Sequence, residues 1–148
     1  MRTVLFVCTG NTCRSPMAEA VARSALASGV AKVEGQVFVA SAGTHAFDGD
    51  PISPEAADAL RRAGIAHEGK SKRLTPQMIE RANAVLCMTE SHARSVRRSV
   101  TGDHPRVECL DPAGDVEDPL GADQGRYDAL LARFQGLIPG RLSEILRP

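Results

Sequence analysis

The chain of 148 residues lacks any run of about 18 apolar residues, and this absence excludes a membrane-spanning helix. It has 18 basic and 18 acidic residues, so no net charge attracts nucleic acid or an anionic membrane. A signal-peptide pattern is also missing from the N-terminus. We therefore expect a cytoplasmic monomer with one domain, residues 1–148, that binds neither nucleic acid nor membrane.

Cysteines and aromatic residues are scarce. The spacing of the four cysteines does not match the paired ligands of a zinc site, and the chain is too long for a disulfide-stapled miniprotein. A reducing compartment fits this cysteine content best, and we expect no metal and no cofactor. The cysteines are Cys8, Cys13, Cys87 and Cys109.

What the chain does have is a cysteine loop near its N-terminus. Residues 4–7 form a short apolar run with β-branched side chains, which predicts a strand buried on both faces. Residues 16–28 are rich in alanine, begin with Pro16 and precede Gly29, as is typical of a helix. Residues 8–15, which read CTGNTCRS, therefore join a strand to a helix amino end, where open α/β sheets bind ligands and anions.

This loop has the groups needed to attack a phosphorus atom. Cys8 is a candidate nucleophile, since a helix amino end and a nearby arginine favour its thiolate form. Arg14 offers a planar guanidinium that matches two phosphoryl oxygens, and Ser15 can donate a hydrogen bond to the thiolate. Gly10 and Asn11 tolerate the left-handed backbone that an anion-binding nest of amides requires. The alternative interpretation is a buried structural thiol beside a surface arginine.

Strands and helices alternate along the rest of the chain, which predicts a parallel sheet covered by helices on both faces. Pro139 and Gly140 are expected to kink or break the last helix. After the first strand, we expect strands at residues 37–40, 84–88 and 107–110. After the first helix, we expect helices from residues 54, 76, 91 and 126.

Residues 7–20, which read VCTGNTCRSPMAEA, resemble the start of low-molecular-weight protein tyrosine phosphatases. The similarity covers nearly the whole chain, and Thr9 and Thr12 most resemble the bacterial protein arginine phosphatases of that family. Other segments that match the family by their order are residues 41–44, 86–88 and 118–119. The resemblance implies a four-stranded, doubly wound parallel sheet with its phosphate-binding loop after strand 1. It also implies a metal-independent phosphatase that acts on phosphorylated proteins through a phosphocysteine.

Such a reaction needs a carboxylic acid that protonates the leaving group and later activates water. Two Asp-Pro pairs, at Asp111 and Asp118, compete for this role, and Asp115 lies between them. The chemistry of the residues alone leaves the choice open. The resemblance implies Asp118, because residues 116–121, VEDPLG, precede the final helix as the general acid of the family does.

The resemblance implies further roles around the loop. Ser41 is expected to hydrogen-bond toward Asn11, and Cys13 is expected to form a reversible disulfide with Cys8. The histidine that often joins this network in the family matches Gly69 here, with His67 nearby. The residues expected to contact the substrate are Thr9, Gly10, Asn11, Thr12, Cys13, Ser15, Ser41 and Leu120.

Two departures from the tyrosine-specific members favour phosphoarginine as the substrate. Thr12 replaces a bulky aliphatic residue with a hydroxyl that can accept a hydrogen bond from a guanidinium. Leu120 and Gly121 stand where many tyrosine phosphatases have aromatic residues, and the chain has no tryptophan and one tyrosine, so stacking on a phenyl ring is weak. Phosphotyrosine remains the alternative substrate.

Two other functions share this loop. Thioredoxin-coupled arsenate reductases have the same loop and fold but need two further cysteines, closely spaced in sequence, and the next cysteine after Cys87 is Cys109. An inactive phosphate-binding module is the other alternative. Pro16 and the Asp118-Pro119 pair favour the phosphatase over the reductase, and the intact set of Cys8, Arg14 and Asp118 favours it over the inactive module.

Overall fold

A computed structural model describes residues 1–102 and 104–148, and this part of the chain forms a four-stranded sheet with five helices. All three strand pairs are parallel, in the order β2-β1-β3-β4, which confirms the predicted doubly wound sheet. The strands are β1 (Arg2–Cys8), β2 (Val37–Gly43), β3 (Ala84–Cys87) and β4 (Arg106–Cys109). The helices are α1 (Arg14–Ser28), α2 (Pro54–Arg62), α3 (Pro76–Arg81), α4 (Glu90–Arg98) and α5 (Gln124–Ile145).

Helices cover both faces of the sheet, and β1 shows why its sequence is continuously apolar. Val4 and Phe6 are buried in the core that α1, α2 and α5 form on one face. Leu5 and Val7 are buried in a second core with α3 and α4 on the other face. A central parallel strand is buried on both sides, so its polar and apolar residues do not alternate.

Local signals in the sequence set several helix ends. The side chains of Ser53 and Thr75 cap α2 and α3 by accepting hydrogen bonds from the amides of Ala56 and Met78, and a proline follows each cap. Gly29 ends α1 in the left-handed conformation. These boundaries confirm the sequence predictions.

The start of α1 differs from its prediction. The helix begins at Arg14 rather than at Pro16, so Arg14 and Ser15 belong to its first turn. The side chains of both residues are therefore held by a helix rather than by a loop.

At Pro139, where we expected a kink or a break, the helix does not break. Helix α5 continues through this proline to Ile145. A proline within a helix removes one backbone hydrogen bond, while Ile138 and Leu142 on either side of it are fully buried against the core. Within residues 1–102 and 104–148, none of the helices combines the length and the apolar character that crossing a membrane requires.

The order of the strands places the loop after β1 at the topological switch point of the sheet. The chain leaves β1 through α1 to pair β2 on one side, and it returns later to pair β3 on the other side. A crevice opens in a parallel sheet where consecutive connections diverge in this way, at the carboxyl ends of the strands. Residues 9–13 lie at that crevice.

Candidate active site

The loop between β1 and α1 wraps around the sulfur of Cys8. Asn11 adopts a left-handed conformation with φ 56°, and its amide N–H points at the sulfur at 3.3 Å. Gly10, the other residue expected to tolerate this backbone, does not adopt a positive φ. The residues just after β2 support the loop, because the amides of Thr44 and His45 donate hydrogen bonds to the carbonyls of Cys8 and Thr9 at 2.9 and 3.0 Å.

A directed chain of hydrogen bonds ends at the Cys8 thiol. The backbone amide of Lys72 donates a hydrogen bond to Asn11 Oδ1, which fixes the orientation of the Asn11 side chain. The Nδ2 group of Asn11 therefore donates to Ser15 Oγ at 2.7 Å and to Ser41 Oγ at 3.0 Å. Ser15 Oγ accepts from Asn11, and it lies 2.8 Å from the sulfur of Cys8. The Ser15 proton is thus available to a thiolate at Cys8.

From Ser41 the chain of hydrogen bonds continues to the buried carboxylate of Glu19, a residue that the sequence analysis missed. The Ser41 hydroxyl donates to Glu19 Oε1 at 2.8 Å, and Arg23 pairs with Glu19 Oε2 at 2.6 Å. Glu19 is buried, so its charge needs both partners. The spacing of Glu19 and Arg23, four residues apart on a helix, was the available signal.

The Arg14 guanidinium is buried and faces the same cleft. Its Nη1 donates to the carbonyl of Val116 at 3.0 Å, and its Nη2 lies 3.4 Å from Thr9 Oγ1 and 3.6 Å from Asp118 Oδ2. The predicted surface alternative for Arg14 is therefore wrong. A buried guanidinium beside a thiol forms a site that favours an anion.

Of the two competing aspartates, the structure places Asp118 at the cleft. Its side chain is half exposed, and its Oδ1 accepts from the amide of Leu120 at 3.1 Å. Asp111 instead pairs with Arg133 at 2.8 Å, and this ion pair with the amide of Ala113 lowers the pKa of Asp111. The cleft has a volume of about 130 Å³ and is lined by residues 8–14, Asp118 and Leu120.

Of the residues expected to contact the substrate, Ser15 and Ser41 are buried and do not line the cleft, whereas the other six do: Thr9, Gly10, Asn11, Thr12, Cys13 and Leu120. Thr12 and Leu120 line the cleft, and the side chain of Leu120 is largely exposed. The Cys13 sulfur lies 3.4 Å from Ser53 Oγ and 3.6 Å from the hydroxyl of Tyr127, so its polar contacts differ from those of the Cys8 sulfur. Burial and this contact with Cys13 raise the pKa of Tyr127 to about 12.

Two histidines near the loop behave differently. His92, which the sequence analysis missed, lies with Nε2 2.8 Å from Thr9 Oγ1. His67 does not join the network around Asn11: among the described residues its buried Nδ1 has no hydrogen-bond partner, and burial lowers its pKa. Only the fold brings His92 to Thr9, since 83 residues separate them in sequence.

The other two cysteines lie away from the cleft. Cys87 and Cys109 are opposite each other in β3 and β4, on the face of the sheet that α3 and α4 cover. Cys8 belongs to the core on the other face. Burial raises the pKa of Cys87 to about 12 and that of Cys109 to about 11.

A thiol in an anion-binding loop, at the switch point of a doubly wound sheet and beside an arginine and an aspartate, defines a cysteine-dependent phosphatase site. Comparison with known proteins agrees. Residues 3–146 match the family model described as "Low molecular weight phosphotyrosine protein phosphatase". The chain belongs to this family.

Individual relatives cover most of the chain. A protein-arginine-phosphatase of Bacillus subtilis (strain 168) is 38% identical over 84% of this chain and 83% of its own length. The probable low molecular weight protein-tyrosine-phosphatase EpsP of Ralstonia solanacearum is 33% identical over 91% of this chain and 90% of its own. Among solved structures, a mutant of the YwlE arginine phosphatase with a phosphorylated active-site serine superposes with a TM-score of 0.83 at 34% identity, covering 98% and 95% of the two chains.

Proposed function

We propose that this protein is a protein-arginine phosphatase that works through a phosphocysteine at Cys8. The observation that supports the proposal most is the convergence of Cys8, Arg14 and Asp118 on one cleft, with Thr12 in its wall. The family comprises protein phosphatases, and the relative from B. subtilis bears the name protein-arginine-phosphatase.

In the first step, the Cys8 thiolate attacks the phosphorus of phosphoarginine in line with the leaving nitrogen. A P–S bond forms and the P–N bond breaks. Arg14 and the amides of residues 9–13 bind the equatorial oxygens, on which charge develops in the transition state. Asp118, protonated at the start, gives its proton to the departing guanidine nitrogen.

In the second step, water hydrolyses the phosphocysteine. The Asp118 carboxylate takes a proton from the water while its oxygen attacks phosphorus, and the P–S bond breaks. The electron pair returns to sulfur as the Cys8 thiolate, which Ser15 and the amide of Asn11 stabilise. Inorganic phosphate leaves and Asp118 is protonated for the next turnover.

The polar wall of the cleft supports arginine over tyrosine. Thr12 lines the cleft, where its hydroxyl can accept a hydrogen bond from a substrate N–H. Leu120 also lines the cleft, and its aliphatic side chain offers no aromatic face on which a phenyl ring would stack. A protein tyrosine phosphatase is the second candidate, since EpsP bears that name.

The positions of the cysteines oppose the arsenate reductase alternative. A redox relay requires the second and third thiols to reach the first by disulfide exchange. Cys87 and Cys109 are neighbours in the sheet, which the sequence spacing did not indicate, but the sheet separates them from Cys8. Raised pKa values of both thiols also keep them protonated near neutral pH.

Parallel assays test the proposed substrate. We expect a peptide with phosphoarginine to be hydrolysed with higher kcat/KM than the same peptide with phosphotyrosine. Rapid acid quench should trap phosphate on Cys8, and Cys8→Ser should remove turnover while keeping the fold, since a serine hydroxyl is far less ionised. Turnover at the wild-type rate in Cys8→Ser would refute the mechanism.

The variant Thr12→Ile separates the two substrates. Loss of one polar contact weakens phosphoarginine hydrolysis, and the apolar side chain improves phosphotyrosine hydrolysis. We expect the ratio of kcat/KM values to shift by about ten- to a hundredfold. A wild type that prefers phosphotyrosine, with a ratio that Thr12→Ile leaves unchanged, would contradict the arginine assignment but not the phosphatase assignment.

We further propose that the enzyme acts on phosphorylated proteins in the cytoplasm as a monomer with one domain, residues 1–148. All four cysteines are free thiols, which fits a reducing compartment. Light scattering after size-exclusion chromatography measures the oligomeric state, and a mass of two chains would contradict this part of the proposal.

A further inference from the structure

His92 connects helix α4 to the phosphate-binding loop at the carboxyl edge of the sheet. It lies in the first turn of α4 and is 7% exposed. Its Nε2 is 2.8 Å from Thr9 Oγ1, and its Nδ1 is 3.0 Å from Thr89 Oγ1. The imidazole therefore bridges two hydroxyls, one in the loop and one at the cap of its own helix.

The same Thr9 hydroxyl also meets the Arg14 guanidinium. Arg14 Nη2 donates to Thr9 Oγ1 at 3.4 Å, while Nη1 donates to the carbonyl of Val116 at 3.0 Å. These two hydrogen bonds hold the guanidinium plane at two points, in addition to the ion pair of Nη2 with Asp118 Oδ2 at 3.6 Å. If Thr9 turns about its side chain, one of the two points is lost.

We propose that His92 is a positioning residue of the phosphatase site, which holds Thr9 so that Thr9 orients Arg14 toward the phosphoryl group. This inference rests on the proposed function, because it assigns to Arg14 the binding of the phosphoryl oxygens. His92 does not itself line the cleft.

The charge state of His92 agrees with this role. Burial and the nearby Arg14 lower the pKa of His92 to about 4, against the opposing effect of Asp115 and Asp118. His45, from the loop after β2, adds to the lowering. A neutral imidazole has one donor and one acceptor, and each faces a hydroxyl that can take either role. A protonated ring would place a second positive charge beside Arg14.

Packing alone does not account for a histidine at this position. The neighbours of His92 that secure α4 against the sheet are the buried Ala93 and Val96. Thr89 already caps the helix by accepting from the His92 backbone amide at 3.1 Å. The side chain of His92 is thus not needed to start the helix, and its remaining polar partner is Thr9.

The test compares His92→Leu, which removes both hydrogen bonds, with His92→Gln, whose amide can again meet Thr9. Steady-state kinetics with an aryl phosphate give kcat and KM, and calorimetric titration with inorganic phosphate gives a dissociation constant. We expect His92→Leu to lower kcat about tenfold and to weaken phosphate binding, as loss of one hydrogen bond does, and His92→Gln to restore most of both.

Two further variants separate positioning from a general loss of stability. Val96→Ala destabilises the same helix without touching Thr9, and we expect its kcat to stay near the wild-type value. In Thr9→Val the hydroxyl that hydrogen-bonds to His92 is absent. Adding His92→Leu to this variant should therefore cause no further loss of kcat or of phosphate affinity.

The inference is refuted if folded His92→Leu keeps wild-type kcat and phosphate affinity, if Val96→Ala loses as much kcat, or if the two losses multiply in the double variant. A wild type that hydrolyses no phosphorylated substrate contradicts the proposed function instead. Phosphate binding then still decides whether His92 orients Arg14.

Discussion

At the scale of single residues, the site depends on which atom donates and which atom accepts in each of its hydrogen bonds. A hydroxyl next to a thiol can donate or accept, and only a donated proton stabilises the thiolate. Here Asn11 is fixed at one end by a backbone amide, so its own N–H groups must donate to Ser15 and Ser41. Glu19 Oε1 accepts a hydrogen bond from the Ser41 hydroxyl. The Ser15 proton then remains for Cys8, and this is the direction that nucleophilic attack requires.

The first prediction concerns the general acid. Asp118→Asn should slow hydrolysis by about 10²–10⁴-fold for substrates with poor leaving groups, because the departing atom no longer receives a proton. The measurement is kcat on a series of aryl phosphates of rising leaving-group pKa. The loss should grow along the series.

Asp111→Asn is the matched control. Asp111 forms an ion pair with Arg133 outside the cleft, and this pair lowers the pKa of Asp111, so the residue stays ionised and does not act as an acid. Its replacement should affect stability more than kcat. Equal losses of kcat in the two variants would mean that Asp118 is not the proton donor.

The second prediction concerns oxidation. Mild peroxide should inactivate the enzyme through a Cys8–Cys13 disulfide, and dithiothreitol should restore it. The Cys13 thiol must first leave its contacts with Ser53 and Tyr127. Peptide mass mapping of the oxidised enzyme would reveal the linked pair.

Cys87 serves as an internal control in that mapping. Burial raises the pKa of its thiol to about 12, so it stays protonated and should remain unmodified at pH 8. Recovery of only sulfinic acid at Cys8, without a linked peptide, would rule out the protective disulfide.

At the scale of elements, the loop after β1 keeps its shape because the end of β2 lies directly against it. A β-carbon added to Gly43 would overlap the carbonyl oxygen of Thr9 and lie 2.8 Å from the β-carbon of Ala46. It would also lie 3.0 Å from the amide nitrogen of Asn11, which points at the Cys8 sulfur. No residue larger than glycine fits at this end of the strand without moving the loop.

The third prediction follows from this close approach. Gly43→Ala should lower kcat/KM, because Asn11 and Thr9 must move away from Cys8 and Arg14. It should also reduce the free energy of unfolding by about 1–3 kcal/mol, as overpacking does. Chemical denaturation and steady-state kinetics measure the two effects.

Gly136→Ala is the comparison within the same chain. Gly136 lies on the exposed side of α5, and a β-carbon there meets nothing within 4 Å. The change should raise the free energy of unfolding by up to about 1 kcal/mol, since alanine has a higher helix propensity than glycine. Unaltered kinetics in Gly43→Ala would show that the loop does not depend on the end of β2.

At the scale of the whole molecule, burial of neutral histidine couples folding to pH. The pKa of His92 is about 4 in the folded chain, against an ordinary value near 6.5. Between these values the unfolded chain binds a proton that the folded chain does not. The free energy of unfolding therefore falls as pH decreases from about 6.5 toward 4.

The fourth prediction is that His92→Gln removes part of this pH dependence. At pH 7 the ring is neutral in both states and adds little, whereas at pH 5 its protonation favours unfolding by about 1–2 kcal/mol. The difference between wild-type Tm values at pH 7 and 5 should exceed that of His92→Gln by about 3–6 °C. His67, whose pKa is also lowered, is present in both proteins and cancels from the comparison.

Val96→Ala controls for destabilisation alone. It should lower Tm by a similar amount at both pH values, because it removes apolar contacts and no titratable group. Parallel Tm curves for the wild type and His92→Gln would contradict a buried neutral His92.

The local sequence was sufficient to determine the strand, the loop and the helix around Cys8, because each depends on neighbours within a few residues. An apolar β-branched run, a glycine–asparagine turn and a proline before an alanine-rich stretch are signals of this kind, and the alternation of such segments predicted the parallel sheet. Of the kink or break expected at Pro139, the break does not occur, because the core around Ile138 and Leu142 outweighs one missing hydrogen bond.

Apart from Asp118 and Ser41, which the family resemblance implied, only the tertiary structure decided which distant groups meet at the loop. Two similar Asp-Pro pairs do not reveal from sequence that Asp111 pairs with Arg133 while Asp118 faces Arg14. Nor does the sequence indicate that His92 reaches Thr9, because packing of α4 against the sheet brings them together. Such contacts arise from the order in which strands pair, and that order is a property of the whole sheet.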